Sequence, residues 1–355
     1  MSADALRTVI VGSGRMGLAH GKVLAGMEEF EVTAVSDLDP DAATELAAEL
    51  NGATAYTVLE EMLDAESPDL AVVATPGATH GEIVPRVAEA GVAGICCEKP
   101  MADSLGDGRR MVEACRQNGA ALIVGHQRRM GADLVEMRRL IREGAVGEVY
   151  LLRGTCAGDM LGDGTHVIDS LRWLSGDEGT RWVLGQVYRE PPPPDEPKGM
   201  GHVRSGGWRY GYPVETGAVA TFELQSGVRV ELLTGDVRLP GRSYQDYEVF
   251  GTEGRLWRPG DDADPPVLIW EEQPGGWREA PIDPDAAGEP RVEMYGQLAQ
   301  TIRKGSPHPL SGESALKGLE IIMAVHESAR LTDRISLPLG QERFPLRMMI
   351  DEGRL

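Results

Sequence analysis

A lysine stands where a buried strand is predicted to end. The apolar segment Gly94–Cys97 is followed by Glu98, Lys99 and Pro100, and a short apolar run bounded by polar residues is typical of a central strand. A lysine held there can donate a hydrogen bond to a substrate hydroxyl and stabilise the negative charge that develops on its oxygen. An ion pair between Lys99 and an acid such as Glu98 would explain the same residues without catalysis.

A glycine-rich loop near the N-terminus has the spacing of a dinucleotide-binding loop. In VIVGSGRMG, Gly12, Gly14 and Gly17 fit the pattern G-x-G-x-x-G between a predicted strand and a predicted helix. The first glycine permits a tight turn, the second lets the backbone approach a pyrophosphate, and the third lets the helix pack on the strand. We expect the cofactor to be bound by Gly12, Ser13, Gly14, Arg15, Met16 and Gly17. Arg15 could instead lie in solvent.

Asp37 indicates which dinucleotide binds. It ends the second predicted strand, 20 residues after Gly17. A carboxylate at this position accepts hydrogen bonds from the ribose hydroxyls of NAD and repels the 2′-phosphate of NADP. The following residues, Leu38 and Asp39, offer no cation to that phosphate. NAD is therefore expected and NADP is disfavoured, unless Asp37 only ends the strand.

Polar residues follow two more predicted strands. TPGATH, residues 75–80, follows Leu70–Ala74, and GHQRR, residues 125–129, follows Ala121–Val124. Ligands of doubly wound sheets bind beyond the carboxyl ends of the strands. These residues and Lys99 are therefore expected to lie along one edge of the sheet.

A second group of reactive residues lies in LGDGTHVIDSLRWL. His166 stands at a predicted helix start, with Asp163 three residues before it and Asp169 three residues after it. His166 and Asp169 would share a helix face. Histidine, with an ordinary pKa of about 6.5, is suited to removing a proton from an alcohol, and a neighbouring carboxylate would orient it. A helix-capping or core role for His166 is the alternative.

The elements that must position these residues differ between the two parts of the chain. Up to residue 125, short β-branched segments alternate with Ala- and Leu-rich segments. Strands are predicted at Thr8–Val11, Val32–Ser36, Leu70–Ala74, Gly94–Cys97 and Ala121–Val124. Helices are predicted to begin at the caps Asp39 and Ser104, and the second ends at Gly119. The alternation predicts an α/β fold, a Rossmann-type doubly wound parallel sheet.

After residue 125 the pattern becomes that of an α+β domain. EVYLLRGTCAG, GAVATFELQSGVRVELLTG and SYQDYEVFGTEGRLWR alternate apolar and polar residues and contain glycine turns, which predicts antiparallel strands in a large, mainly antiparallel open sheet. SGESALKGLEIIMAVHESARL predicts a packed helix, and the Pro- and Gly-rich residues 189–201 and 258–267 predict surface loops. The predicted domains are residues 1–125 and 126–355.

The composition limits the class of protein. The chain has 355 residues, and its formal charge of −21 disfavours nucleic acid and anionic membranes as partners. We expect no signal peptide, and no apolar segment reaches the roughly 18 residues of a membrane helix. The four cysteines show no zinc-site spacing. A cytoplasmic protein with reduced cysteines, a small-molecule substrate and no metal is therefore expected.

Several motifs, in their order and spacing, resemble the glucose–fructose oxidoreductase / inositol dehydrogenase / MocA (Gfo/Idh/MocA) family. They are VGSGRMG, TPGATHGEIVPRVAEAG, CEKPMA, VGHQRRM and GDGTHVIDSLRWLSG. The resemblance implies that Lys99 is the catalytic lysine, which contacts the substrate and positions the nicotinamide. It implies that the nicotinamide end of the cofactor lies near Thr75, Pro76, His80, Glu98, Lys99 and Gln127. A homodimer or homotetramer is implied as well.

The resemblance also implies that His166 is the catalytic base. The family pattern here is D-x-G-x-H-x-x-D, and Gly162 stands where the first aspartate is expected. Asp163, one residue later, either replaces that aspartate beside His166 or points elsewhere. Asp169 either binds substrate hydroxyls or holds the helix. Arg153 is a further candidate for substrate binding.

The sequence therefore predicts an NAD-dependent dehydrogenase that oxidises a secondary hydroxyl of a sugar, sugar derivative or cyclitol, or reduces the ketone. Hydride would pass to NAD and the proton to His166, while Lys99 stabilises the charge on oxygen. Two alternatives stay open. One is an enzyme that uses NAD transiently to eliminate a glycosidic bond, and the other is a non-catalytic NAD-binding sensor.

Overall fold

The computed structural model describes residues 5–190, 207–238, 243–271, 275–283 and 287–355. They divide into two compact units. The first unit contains the described residues up to 127 together with 289–316, and the second unit contains those of 128–288 and 317–355.

Strands and helices alternate over the first 127 residues. The elements are β1 (Leu6–Val11), α1 (Arg15–Ala25), β2 (Phe30–Ser36), α2 (Pro40–Glu49), β3 (Thr54–Tyr56), α3 (Leu59–Glu66), β4 (Leu70–Val73), α4 (His80–Glu89), β5 (Gly94–Cys97), α5 (Leu105–Asn118) and β6 (Ala121–Val124). The predicted strands and helices are confirmed, and the structure adds β3. Two of the three residues of β3 are exposed, so this strand lacks the apolar pattern by which a strand is recognised.

The strands of the first unit form a parallel sheet in the order β3-β2-β1-β4-β5-β6. This order confirms the Rossmann-type prediction, because the chain winds outward first to one side of β1 and then to the other. Every residue of β4 and β5 is buried, as expected for central strands covered by helices on both faces. The glycine loop after β1 and the segment after β4 lie beside the point where the strand order reverses.

The helix caps in this unit follow from the sequence. Asp39 accepts hydrogen bonds from two backbone N–H groups at the start of α2, where Pro40 is the first helical residue. Ser104 accepts a hydrogen bond from the backbone N–H of Asp107 at the start of α5, and Gly119 ends that helix with a φ of 71°. Both predicted helix starts are therefore confirmed.

Beyond residue 127 short strands predominate. The described elements are α6 (Ala132–Arg142), β7 (Val149–Cys156), α7 (Thr165–Leu174), β8 (Thr180–Tyr188), β9 (Trp208–Arg209), β10 (Tyr212–Pro213), β11 (Gly217–Leu224), β12 (Arg229–Gly235), β13 (Gln245–Gly251), β14 (Gly254–Arg258), β15 (Leu268–Glu271), β16 (Gly276–Glu279), α8 (Pro290–Lys304), α9 (Gly312–Leu331), β17 (Ile335–Ser336) and α10 (Pro345–Asp351).

The second unit is built on an open sheet in the order β16-β15-β14-β13-β7-β12-β11-β8-β17. Its neighbouring strands run antiparallel except for β7 and β12, which pair in parallel. The predicted large, mainly antiparallel open sheet is confirmed, and β7 with β12 is its one parallel pair among the described strands. The chain reaches β12 from β7 through α7, β8 and β11, and a crossover of this length permits parallel pairing.

The two faces of this sheet are covered differently. A Cβ on Gly154 of β7 would lie 2.4 Å from Val167 of α7, and a Cβ on Gly185 of β8 would lie 2.6 Å from Val325 of α9. These glycines therefore let both helices lie close against one face. On the other face, called the open face below, Leu184, Tyr188 and Val219 are 44%, 54% and 48% exposed, respectively.

Residues 289–316 differ from the predicted domain 126–355, because they pack in the first unit. Ile302 of α8 fills the space beside Gly94 of β5, where a Cβ would lie 2.4 Å from its methyl group. The backbone N–H of Val124 in β6 donates to the carbonyl of Leu310 over 3.0 Å. The chain thus returns to the edge of the parallel sheet, which the change of pattern near residue 125 could not indicate.

Within the described ranges, no helix is long and apolar enough to cross a membrane. In the same residues, no group of His, Cys, Asp and Glu side chains could hold a metal ion. All four cysteines are buried and free. The proline run that begins at residue 191 lies outside the described residues, whereas residues 259–267 form a loop between β14 and β15.

Candidate functional site

The glycine loop after β1 leaves space at its second glycine. Gly12 has a φ of +101°, and a Cβ there would lie 2.8 Å from the backbone of Ala74, so this turn requires glycine. A Cβ on Gly17 would lie 2.0 Å from the carbonyl oxygen of Gly12. By contrast, a Cβ on Gly14 would meet no described atom within 4 Å. Gly12 and Gly17 therefore serve packing, and Gly14 faces open space at the N-terminus of α1.

Ser13 and Asp37 complete this loop. The backbone N–H of Ser13 donates to Oδ2 of Asp37 over 2.7 Å, and the backbone N–H of Asp39 donates to Oδ1 over 3.0 Å. The Oγ of Ser13 is buried without a hydrogen-bond partner among the described residues. A hydroxyl in this position can donate to a phosphate oxygen at a helix N-terminus, and a carboxylate with two donors still has lone pairs for ribose hydroxyls. The residues present therefore fit a dinucleotide.

The remaining two residues of the predicted loop site begin α1. Arg15 is exposed and Met16 is half-buried. Neither placement decides whether Arg15 binds a pyrophosphate, and that role stays a prediction.

His80 lies inside the protein rather than at its surface. Its side chain is fully buried, with Nδ1 2.9 Å from the carbonyl oxygen of Pro100 and Nε2 2.9 Å from that of Thr75. Burial lowers the pKa of His80 despite these two carbonyls. His80 thus ties the segment after β4 to the segment after β5, and its predicted place beside the nicotinamide stays a prediction. Thr75 and Pro76 are half-buried at the same edge.

Lys99 is half-buried two residues after β5, and its peptide bond to Pro100 is cis. The neighbouring Glu98 is only 5% exposed, and its carboxylate turns inward. Oε2 accepts the backbone N–H of Lys99 over 3.1 Å, and Oε1 accepts Nε2–H of His20 over 2.7 Å. Glu98 therefore supports the backbone of Lys99, and its assignment to the cofactor surface stays a prediction.

The charge state of Glu98 follows from these partners. Burial by itself raises the pKa of this carboxyl, but the hydrogen bond from His20 and the positive charge of Lys99 lower it below its usual value. A carboxylate that accepts two hydrogen bonds is stabilised in its ionised form.

Gln127 lies three residues after β6, at the carboxyl edge of the sheet. Its Oε1 is buried without a hydrogen-bond partner in the part of the chain that the structure describes. Buried amide oxygens normally accept a hydrogen bond, so this atom is suited to a ligand donor.

His166 is the second residue of α7 and is 6% exposed. The predicted helix start is confirmed. A single π-helical turn, Met160–Gly164, precedes it. Asp159 caps that turn by accepting the backbone N–H of Gly162 over 2.6 Å, so the backbone before His166 is fixed by a side chain that the sequence did not single out.

Asp163 is 5% exposed, and two side chains that are distant in sequence hold its carboxylate. Nη1 of Arg209 donates to Oδ2 over 2.6 Å, and the hydroxyl of Tyr244 donates to Oδ1 over 2.5 Å. Burial and the charge of Asp163 raise the pKa of Tyr244 above its usual value, which keeps that hydroxyl a donor. Asp163 thus lies within a hydrogen-bonded acidic cluster directly before α7.

Asp169 is held by a bidentate ion pair. Nε and Nη2 of Arg129 donate to its two oxygens over 2.6 and 2.7 Å, and Nη1 of Arg129 donates to Asp177 over 2.7 Å. The side chain of Arg129 is fully buried. Of the two predicted roles for Asp169, this geometry favours holding the helix.

Arg153 lies on the open face, because β7 alternates and Gly154 points the other way, towards α7. There it pairs with Glu231 at 2.7 Å and with Glu248 at 3.7 Å. The helix that carries His166, α7, covers the opposite face of the sheet. That Arg153 binds substrate stays a prediction.

Several residues near the predicted site gave no recognisable signal in the sequence. Asp159 also accepts Nη1 of Arg209 over 2.7 Å, and Glu215 pairs with His326 at 3.2 Å. These partners are far apart in sequence, so no local motif reveals them. His20 does carry a signal, because it is a polar residue on the buried face of α1 that also contains Gly17, Gly21 and Leu24.

The chain is similar to a known family of oxidoreductases. Residues 6–126 match the oxidoreductase family with an NAD-binding Rossmann fold, GFO_IDH_MocA. The chain is 32% identical to the rhizopine catabolism protein MocA of Rhizobium meliloti over 190 residues, which are 50% of this chain and 59% of that protein. It is 25% identical to the myo-inositol 2-dehydrogenase of Thermotoga maritima over 338 residues, which are 91% of this chain and 96% of that protein. The matched part is thus under two thirds of the first relative and nearly all of the second.

A solved structure shows the same architecture. The WlbA dehydrogenase of Bordetella pertussis, in complex with NADH and UDP-GlcNAcA, has a TM-score of 0.75 at 24% identity, over 94% of this chain and 99% of that one. At this identity the similarity is one of fold, and it agrees with the Rossmann-type sheet and the open sheet described above. Residues 6–126 are therefore an NAD-binding Rossmann domain of the Gfo/Idh/MocA family of oxidoreductases.

Proposed function

We propose that this protein is an NAD-dependent oxidoreductase that transfers a hydride between nicotinamide and a secondary alcohol or ketone of a sugar, sugar derivative or cyclitol. The observation that carries the proposal is Lys99 at the carboxyl edge of a sheet whose glycine loop fits a dinucleotide. The printed names of two relatives, a myo-inositol 2-dehydrogenase and a dehydrogenase with bound UDP-GlcNAcA, support a cyclitol or sugar-derived substrate.

Four features of the first unit would hold the cofactor. The N-terminus of α1 at Gly14 and the free hydroxyl of Ser13 suit the pyrophosphate. Asp37 suits the ribose hydroxyls and disfavours the 2′-phosphate of NADP. The buried Oε1 of Gln127 suits an amide donor such as the nicotinamide carboxamide. When bound, NAD supplies the hydride acceptor.

The protein's own side chains handle the proton and the charge on oxygen. Lys99 donates a hydrogen bond to the reacting oxygen and stabilises its developing negative charge. His166 removes the hydroxyl proton, a step that typically contributes about 10²–10⁴ in rate. Asp163 supports His166 electrostatically from the preceding turn, and Asp169 with Arg129 fixes the helix that carries His166.

We also infer that the chain forms a homodimer or homotetramer through its open face. Leu184, Tyr188 and Val219 are 44–54% exposed there, and exposed apolar groups on one sheet face mark an interaction surface. Light scattering after size exclusion should give a multiple of the chain mass, and Val219→Asp should lower it. A monomeric mass for the unchanged protein would refute this inference.

The experiment that tests the activity is NADH formation, followed by its absorbance. The purified protein is offered NAD or NADP with inositols, free hexoses, aminocyclitols and glycosides. We expect NADH with at least one polyol, and a loss of turnover of about a hundredfold or more in Lys99→Met and in His166→Gln. Lys304→Met, at the exposed end of α8, is the control and should retain full turnover.

Two results would contradict the proposal. Tight NAD binding without NADH from any compound, together with release of an aglycone from a glycoside, would indicate transient redox chemistry. Unchanged turnover in Lys99→Met would show that the lysine at the edge of the sheet has no catalytic role.

A further inference from the structure

A buried chain of hydrogen bonds runs from α8 to the backbone of Lys99. The hydroxyl of Tyr295 in α8 lies 2.7 Å from Nδ1 of His20 in α1, and Nε2 of His20 lies 2.7 Å from Oε1 of Glu98. Oε2 of Glu98 accepts the backbone N–H of Lys99 over 3.1 Å. The side chains of Tyr295, His20 and Glu98 lie in the core of the first unit, at 0%, 1% and 5% exposure.

The ionised carboxylate of Glu98 fixes the direction of the hydrogen bond that it shares with His20. An ionised Glu98 only accepts, so His20 must donate to it from Nε2. The hydroxyl of Tyr295 shares a hydrogen bond with Nδ1 of His20 and also lies 3.6 Å from Sγ of Cys96, to which it can donate. Tyr295 is suited to this task because burial, together with the nearby Cys96, raises its pKa well above the usual value and keeps the hydroxyl protonated.

Two basic groups act on the carboxylate of Glu98, and they are His20 and Lys99. The titratable groups that face it are His20 from α1, His80 from α4, Cys96 and Cys97 from β5, and Tyr295 from α8, besides Lys99 itself. Arg291 of α8 acts electrostatically on Tyr295 and Cys96. Cys96, Cys97 and Tyr295 are held in their neutral forms, since burial raises the pKa of each.

We propose that Tyr295, His20 and Glu98 are positioning residues, which fix the Glu98–Lys99 peptide and hold a buried negative charge beneath the Lys99 ammonium. The role in turnover rests on the proposed function, but the effect on Lys99 does not. Tyr295 lies 275 residues from His20 in sequence. The return of residues 289–316 to the first unit therefore brings Tyr295 to the group that supports the proposed catalytic lysine.

Chemical labelling of Lys99 tests the charge directly and requires no substrate. An amine reagent such as fluorodinitrobenzene reacts only with the neutral amine, so the labelling rate rises with pH as the ammonium loses its proton. The chain has five lysines, and mass spectrometry resolves Lys99 from Lys22, Lys198, Lys304 and Lys317. We expect the labelling curve for Lys99 to lie at lower pH in Glu98→Gln than in the parent protein, because the favourable carboxylate is lost. The midpoint for Lys304 should not move.

Steady-state kinetics test the positioning by Tyr295. Tyr295→Phe keeps the ring and removes only the hydroxyl, and we expect kcat to fall about tenfold while KM for NAD changes less than twofold, since misplacing a catalytic group affects the chemical step. Thr301→Val is the matched control, because it removes a hydroxyl from the same helix, where that group bonds only along α8 to the carbonyl of Gln297. Both variants should melt close to the parent protein.

The outcomes separate this inference from the proposed function. A Lys99 midpoint in Glu98→Gln equal to that of the parent would overturn the buried-charge role, and kcat in Tyr295→Phe equal to that in Thr301→Val would overturn the positioning role. If the parent protein forms no NADH from any alcohol, the proposed function fails, and the labelling midpoint still decides the charge. If Glu98→Gln does not fold, Tyr295→Phe still decides the positioning.

Discussion

Arg209 occupies the space into which a side chain at Gly162 would extend. A Cβ on Gly162 would lie 2.7 Å from Nη1 of Arg209 and 2.8 Å from Oδ2 of Asp159. Both groups are buried and paired with each other. The aspartate that the family pattern D-x-G-x-H-x-x-D places at this position therefore has no room here. Arg209 instead binds the carboxylates of Asp159 and Asp163.

This relationship predicts that Gly162→Ala is destabilising. The added methyl group must displace Arg209 from its two buried carboxylates, and we expect the free energy of unfolding to fall by about 1–3 kcal/mol. Gly296→Ala is the control, because a Cβ at that position in α8 meets no described atom within 4 Å, and alanine in a helix interior should add about 0.5–1 kcal/mol. Urea unfolding measures both. If the free energy of unfolding is the same in Gly162→Ala and Gly296→Ala, Arg209 can move away from the added methyl group without loss of stability, and the prediction is wrong.

The ion pair between Arg129 and Asp169 predicts a large effect on stability. Arg129→Met leaves a buried carboxylate without its bidentate partner, and breaking such a pair costs about 3–5 kcal/mol. Arg86→Met serves as the control, since it breaks a pair with Glu60 in which both side chains are about half exposed, and exposed pairs contribute little. Denaturant midpoints that fall by the same amount in both variants would contradict the structural role assigned to Arg129.

The sequence predicts the first unit well because its signals are local. The strands β4 and β5 are apolar throughout, and the caps Asp39 and Ser104 act on backbone groups two or three residues away. The glycine loop and Asp37 are read in the same way. What was missed in this unit depends on distant contacts, such as the return of α8 to the sheet and the pairing of Tyr295 with His20.

The candidate site is predicted less completely for the same reason. Residue types placed Lys99 and His166 at an edge of a sheet and at a helix start, as observed. The ion-pair partners of Asp163 and Asp169 could not be predicted from the sequence. Arg209 is 46 residues from Asp163 and Arg129 is 40 residues from Asp169, so no local motif links them. The sequence could not show which face of the sheet Arg153 lies on, because the face that α7 covers is known only from the packing of Gly154.

Asp37 is expected to set the cofactor preference. Asp37→Ser removes the negative charge that would face a 2′-phosphate, so the ratio of kcat/KM for NAD to that for NADP should fall by about tenfold or more. Glu45→Ser removes a charge from an exposed position of α2 and should leave the ratio unchanged. If Asp37→Ser keeps the preference of the parent protein, Asp37 only ends β2 and holds the backbone of Ser13.

Glu98 and Asp159 should change the pH dependence of stability in opposite directions. The folded-state pKa of Glu98 lies below 4.5, so between that value and 4.5 the unfolded chain binds more protons than the folded one. The stabilisation from Glu98 is therefore fully present above 4.5 and is lost as the pH falls through the folded-state pKa. Burial, with the charges of Glu215 and Asp163, raises the pKa of Asp159 above 3.8. The contribution of Asp159 to the stability of the fold is therefore present at low pH and is lost as the pH rises.

Urea unfolding at a series of pH values between about 3 and 6 tests this pair of signs. In Glu98→Gln the free energy of unfolding should rise less steeply with pH than in the parent protein. In Asp159→Asn the free energy of unfolding should rise more steeply with pH than in the parent protein. The folded parent binds more protons at Asp159 than the unfolded chain does, which makes its stability fall with pH, and the variant lacks this effect. The comparison depends on slopes, so a uniform loss of stability in either variant does not obscure it. Parallel curves for all three proteins would mean that neither carboxyl titrates differently in the folded and unfolded states.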